Sequence, residues 1–208
     1  MTSGWVVLGA GGHARSVVDV LERAGETVVA VSGDPHGSPW HVDVLADDTE
    51  ALAMVSDRGL RACVAIGSTG ARAMLVADFL SRGVSLPPVV AVTATVAPGS
   101  HVGPGTVVLE HAHVGPGSRV GTGVIVNTAA VVEHDCVVGN GAHVAPGAVL
   151  LGAASVGDGT LVGSGARVLP GVVVGAHVII GAGAIVTRAV PDGATVTGVP
   201  ATTRGAPA

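Results

Sequence analysis

The sequence predicts a small parallel α/β domain followed by a long parallel β-helix. The first observation is a period of six. From Val96 to Val186 every sixth residue is aliphatic, sixteen hexads with no insertion and no miss. Four residues after each stands a second inward candidate, either small, as at Ala112, Ala130, Cys136, Ala148 and Ala166, or valine, as at Val124 and Val178. A strict hexapeptide period is the signature of stacked coils. The second observation is composition. The chain is 48% hydrophobic yet holds one Phe, two Trp and no Tyr, with 33 glycines. Such a core must be a narrow prism filled by Val and Ala, with glycine at corners that need φ > 0. The third is the different texture of residues 1–88, where β-type and helical patterns alternate, as they do around a parallel sheet.

Trp5 to Leu8 reads as the first strand and runs into Gly9-Ala10-Gly11-Gly12-His13-Ala14. A helical pattern follows from Ala14 to Ala24, with Val17, Val18, Val20 and Leu21 on its apolar side and Gly25 closing it. Thr27 to Val31 is a second strand, broken by Ser32-Gly33-Asp34-Pro35. The polar, Pro-containing stretch Pro35–Val44 reads as a loop. Asp48 to Asp57 is a helix capped by Asp47 or Asp48. Arg61 to Ile66 is a third strand ending at Gly67-Ser68-Thr69-Gly70, and Ala71 to Arg82 is a third helix closed by Gly83. Pro87-Pro88 marks a domain boundary. The expected organisation is therefore 1–88 as a Rossmann-like domain, 89–191 as the β-helix and 192–208 as a C-terminal tail.

The net charge of −5 is spread along the chain. With no basic stripe, a nucleic-acid partner is not expected. No run of the ~18 apolar residues that a membrane span needs occurs, and the N-terminus lacks a signal-peptide pattern, so the reading is a soluble, cytoplasmic protein with no membrane partner. Cys63 and Cys136 read as small buried hydrophobes rather than halves of a bridge.

Strand, glycine turn and helix place Gly9 to Ala14 at a helix N-terminus, where backbone N–H groups and the helix dipole suit a phosphate. Asp34, after the second strand, suits a ribose or base. The alternative is a tight turn and nothing more. His13 inside the turn is unusual for a dinucleotide site and favours a sugar nucleotide. Among the nine histidines, His101 and His177 read as surface residues. His111 and His113 form an H-x-H pair without a third spaced ligand, so no metal site is expected. His134 stands between Glu133 and Asp135, in a segment that lacks the glycine corners of its neighbours. A carboxylate beside an imidazole fixes its tautomer and raises its basicity, which suits a general base. The competing reading is a corner histidine paired to an acid for structure.

The motifs Gly9-Ala-Gly-Gly-His13, Asn127…Glu133-His134-Asp135-Cys136, His143-Val-Ala-Pro-Gly147 and Gly198-Val-Pro-Ala201 together resemble the sialic acid O-acetyltransferase family. They are similar too to the bacterial nucleotide-sugar N-acetyltransferases of the same hexapeptide-repeat architecture. The resemblance spans essentially the whole chain. It implies a left-handed β-helix in which three hexads make one turn, so that residues 18 apart stack about 4.8 Å apart. Gly152 then lies one coil beyond His134, and Pro146, Ser164 and Ala182 form another column. It implies a homotrimer that transfers acetyl from acetyl-CoA to a sugar, most simply the amine of a nucleotide-linked amino sugar, with sugar O-acetylation as the alternative. His134 would be the general base and Asp135 its orienter, with Glu133 less favoured. The Gly152 N–H would meet the thioester oxygen. Asn127, His143, Ser164 and Ala182 would line the acetyl-CoA cleft between protomers. Gly11, Gly12, His13, Asp34 and Gly67 would hold the nucleotide end of the acceptor. Attack would be direct, without an acyl-enzyme. Gly67-Ser68-Thr69 and the single acid Asp34 depart from the relatives' pattern, which leaves the acceptor's identity open. A metal-dependent hydratase or a non-catalytic nucleotide-sugar sensor on the same fold are more remote readings.

Overall fold

The computed structural model describes residues 4–35 and 37–203. Four short strands, β1 (Trp5–Leu8), β2 (Val28–Ser32), β3 (Asp43–Leu45) and β4 (Arg61–Val64), form one parallel sheet in the order β3-β2-β1-β4. Three helices accompany it, α1 (Gly12–Arg23), α2 (Asp48–Arg58) and α3 (Thr69–Ser81). β1 is buried along its whole length, as a central strand covered on both faces must be. Asp47 caps α2, its Oδ1 accepting the N–H groups of Thr49 and Glu50 at 2.9 Å each, which satisfies two of the helix's orphan donors.

One element differs from the sequence reading. Asp43 and Val44, expected as the end of a loop, join Leu45 in pairing with Ala30 to Ser32 as an edge strand. Only Leu45 of the three is buried, so the segment carries no alternating pattern. The open edge of β2 makes the strand, not its own side chains.

From Val89 the chain winds as a left-handed β-helix. Each coil adds one short strand to each of three walls, which are sheets of eight, six and five strands. The first wall holds Ile125 between Val107 and His143, the second holds Val131 between His113 and Val149, and the third holds Val137 between Arg119 and Ser155. The register advances 18 residues per coil throughout these walls. The inward column from Val108 to Val186 is a continuous core of Val, Ala, Leu and Ile with Cys136 among them. The register changes only at the end. Val174 bridges Val190, and Ile179 pairs with Thr195, so the final coil is two residues short. Thr195–Thr197 joins the first wall and pairs with Thr202–Thr203, antiparallel to it. Strand pairing thus continues past Pro191; residues 204–208 of the expected tail lie outside the described residues.

The α/β domain sits on the first wall and its adjoining corner. Trp5, Val7, Ala10, Ala14 and Val17 share one buried cluster with Val89, Ala91, Val107 and Leu109 of the first coils. α3 lies along the corner, with Val76 over Gly105 and Gly123 and Ala73 over Gly141. A Cβ on those glycines would stand 3.3, 3.3 and 3.1 Å from the helix side chains. Bare corners let the helix approach closely.

Candidate active site

His134 lies at the corner joining the second and third walls, one residue after Glu133. Its Nδ1 pairs with Asp135 Oδ2 at 2.9 Å. Glu133 makes no hydrogen bond to the imidazole; its carbonyl accepts the Ser118 hydroxyl at 2.6 Å. Asp135 holds φ at 59°, a left-handed conformation that most corners of this helix give to glycine. An aspartate tolerates it better than most residues but still at a cost. Retaining the carboxylate there trades backbone ease for a partner to the imidazole. The ring turns toward the next coil. A Cβ built on Gly152 would lie 2.4 Å from His134 Nε2, while a Cβ on Gly117 would lie 2.5 Å from Asp135 Oδ1. Two side-chain-free positions flank the dyad. Ala153 donates to the His134 carbonyl and Gly171 to that of Gly152, which fixes the stack. Among the described residues the Gly152 N–H meets no acceptor. At other corners an Asn or Asp one coil on accepts the equivalent N–H, as Asn140 does for Thr122 and Asp158 for Asn140. Here the next residue in the column is Pro170, which has nothing to offer. The unspent N–H belongs to the residue against which the imidazole turns.

A second cluster lies on the first wall. His143 points outward from its strand, and its Nε2 accepts from Asn127 Nδ2 at 3.0 Å. Asn127 Oδ1 is occupied by the Thr128 N–H at 2.8 Å, which leaves the amide nitrogen facing the ring. His13, from the first turn of α1, packs close by with its Nε2 buried and unpartnered. Burial, and then the neighbouring His143 and Arg72, lower His13 to about 4. Burial and Arg72 lower His143 to about 4. Both rings are neutral at physiological pH.

The third group is the rim of the α/β sheet. With β1 between β2 and β4, the turns after these strands bring Gly9–Gly12, Asp34 and Gly67 to one edge, where the strand order reverses and ligands bind in such sheets. Gly9, at φ 123°, must be glycine, since a Cβ would meet the Ala65 carbonyl at 2.6 Å. Gly11, Gly12 and Gly67 face open space, so their backbone is accessible. Trp40 leans over this turn, its Nε1 donating to the Ala10 carbonyl at 3.3 Å and its ring 4.4 Å from the Arg15 guanidinium.

The family described as PglD N-terminal domain matches residues 5–79, and that of the bacterial transferase hexapeptide matches residues 153–188. No curated protein matches in sequence. Among solved structures, PerB from Caulobacter crescentus, in complex with CoA and GDP-perosamine, is 40% identical, with a TM-score of 0.92 and 99% of each chain covered. The acetyltransferase domain of PglB from Neisseria gonorrhoeae is 34% identical, with a TM-score of 0.92, covering 97% of this chain and 99% of that one. The chain belongs to the nucleotide-sugar N-acetyltransferase family. This acyltransferase thus carries its sequence-predicted site residues in separate places. His134, Asp135, Glu133 and Gly152 share one corner. Asn127, His143 and His13 meet on the first wall. Ser164 and Ala182 lie exposed along the corner between the first and second walls, stacked by the Gly183 N–H on the Ser164 carbonyl at 2.9 Å. Gly11, Gly12, Asp34 and Gly67 line the sheet rim.

The sequence reading joined His13 to the acceptor and His143 to the acetyl donor. The structure puts the two side by side. It also reveals Arg72 and Trp40, which no motif marks. A lone arginine in a helix reads as solvated, and a tryptophan in a polar loop carries no period.

Proposed function

We propose that this acyltransferase moves the acetyl group of acetyl-CoA to the amine of a nucleotide-linked amino sugar, in sites shared between protomers of a homotrimer. The observation that carries the reading is the His134 imidazole, held by Asp135 and turned against Gly152 with its unspent N–H. That arrangement supplies a base and an oxyanion donor at one point. His134 Nε2 takes a proton from the amine as its nitrogen attacks the thioester carbon. The Gly152 N–H meets the oxygen that gains charge. Collapse of the tetrahedral intermediate breaks the C–S bond, and the imidazolium returns the proton to the departing thiolate. No acyl-enzyme is involved: Cys136 is buried, and burial raises its thiol, which suppresses the thiolate.

Wall order supports sharing between protomers. His134 stands at the corner opposite the first wall, while His13, Asn127 and His143 lie on that wall under the α/β domain. A stiff prism cannot fold one onto the other. A neighbouring protomer facing the His134 corner brings its own first wall, with Asn127, His143, Ser164 and Ala182 along the acetyl-CoA cleft. Gly11, Gly12, His13, Asp34 and Gly67 hold the nucleotide end. A cytoplasmic reaction fits the use of acetyl-CoA as donor. Among the described residues no helix is long and apolar enough to cross a membrane.

The relatives that bind CoA and GDP-perosamine favour N-acetylation. The test is incubation with acetyl-CoA and a panel of GDP-, UDP- and dTDP-linked amino sugars, following free thiol and product mass. Thiol release coupled to an acetylated, alkali-stable product is expected. Thiol release no faster than acetyl-CoA hydrolysis with every acceptor would overturn the reading.

A further inference from the structure

Arg72 is fully buried and, among the described residues, has no carboxylate partner. Its five N–H donors all end on backbone carbonyls. Nε donates to Gly123 at 2.7 Å, Nη1 to Ile66 at 2.9 Å and Gly67 at 3.0 Å, and Nη2 to Gly141 at 2.6 Å and Ala142 at 3.3 Å. Burying a guanidinium without a counter-ion is costly, even when every donor is satisfied. Packing alone does not require it, because Ala73 and Val76 already seat α3 on the corner glycines. The carbonyls it gathers explain it better. Two belong to the turn after β4, one to an earlier coil, and two to the residues immediately before His143.

We propose that Arg72 is a positioning residue of the acceptor site, one that clamps the Gly67 turn to the coil carrying His143 and sets a fixed positive charge behind the His13–His143 pair. The inference rests on the acceptor assignment made above. The clamp acts through rigid backbone. A guanidinium fork offers five donors in one plane, a geometry that no other side chain reproduces. Among the described residues, the groups facing the two imidazoles are Arg72 from α3, Asn127 from the preceding coil, and each other. The fixed charge opposes protonation of either ring and adds to the effect of burial.

The test compares wild type, Arg72→Lys and Arg72→Met by thermal melting, steady-state kinetics and NMR titration of the histidine ring protons. Folded Arg72→Met is expected to raise the acceptor KM about tenfold or more through misplacement, with a clearly smaller rise in the acetyl-CoA KM. Its two most depressed imidazole titrations should move upward by about half a pH unit or more. Arg72→Lys keeps the charge but has three donors, so its titrations should stay low while the acceptor KM still rises. A folded Arg72→Met with an unchanged acceptor KM, with equal losses for both substrates, or with unmoved titrations overturns the proposal. If Arg72→Met does not fold, an unchanged acceptor KM in Arg72→Lys overturns it. If wild type itself acetylates no nucleotide-linked amino sugar, the acceptor assignment has failed. The titrations need no substrate and still decide whether Arg72 sets the charge state of the pair.

Discussion

The substitution Gly152→Ala isolates the geometry of the proposed base. The backbone at Gly152 lies outside the left-handed region, so alanine adds no conformational strain there. What it adds is one methyl group, 2.4 Å from His134 Nε2, 2.6 Å from Cε1 and 3.2 Å from Cδ2. Ordinary contact requires the ring to retreat by roughly 1 Å. The His134 side chain is 59% exposed, so it escapes by swinging outward rather than by forcing the coils apart. Folding should therefore be almost untouched, with a stability change within about 0.5 kcal/mol, as for surface replacements. Catalysis should not be spared. A reacting group displaced by that distance costs on the order of 10²-fold, within the ~10²–10⁴-fold that a general base contributes. The Gly152 N–H survives in the variant, which separates loss of the base from loss of the oxyanion donor. The assay is thiol release from acetyl-CoA with the preferred amino-sugar acceptor, beside a thermal melt. His134→Ala and the double variant H134A/G152A complete the set. The double variant should be no slower than His134→Ala, because with the ring gone the methyl has nothing to displace. A folded Gly152→Ala turning over within twofold of wild type would refute the steric argument. A double variant much slower than His134→Ala would show that the methyl acts on something other than the imidazole.

Asp135→Asn should lower kcat about tenfold while leaving the melting temperature in place, since asparagine tolerates the left-handed φ but loses the carboxylate that orients the ring; an unchanged kcat would remove Asp135 from the mechanism. His13 and His143 are both depressed to about 4 from 6.5, so between those values the unfolded chain binds more protons than the folded one. The stability they contribute is complete above about pH 6.5 and is lost as pH falls through 4. Melting temperature should fall across that window and fall less in His13→Gln or His143→Gln; parallel curves for wild type and variants would contradict the shifts. If sites are shared, co-expressed His134→Ala and His143→Ala subunits, each inactive alone, should recover about a quarter of wild-type activity by random assortment in a ring. A mixture as inactive as its parents would place the site within one protomer.

The prism was legible because its signal is geometric. A hexad leaves no choice about which residue faces inward, and the walls keep their 18-residue register until the last coil, where two residues are missing between Val174 and Val190. That shortening leaves no trace in the pattern because Val190 still falls on the inward position. The approach of Gly152 to His134 is likewise a matter of counting. β3 was hidden for the opposite reason: three residues on an edge, with one buried, carry no period. Arg72 and the pairing of His13 with His143 were hidden more deeply, because they depend on how one domain docks against another, and no local pattern encodes a docking angle.

That difference bears on how the enzyme is assembled. Residues that successive coils can position, the proposed base, its carboxylate and the proposed oxyanion N–H, lie within a regular stack and follow from the 18-residue register. Residues proposed to meet a variable acceptor lie where the α/β domain touches the prism, and there regularity ends. Loops after β2 and β4 can change without disturbing the hexads, provided something holds their turns in register with the coils. The buried guanidinium of Arg72 joins the turn after β4 to two successive coils through backbone atoms alone. Because it bonds to carbonyls, which every residue possesses, the side chains of the acceptor loop can vary while the clamp persists. On this reasoning Ser68 and Thr69, beside the clamped Gly67, are where acceptor preference should be most easily altered, and replacing them should shift the acceptor KM without moving that of acetyl-CoA.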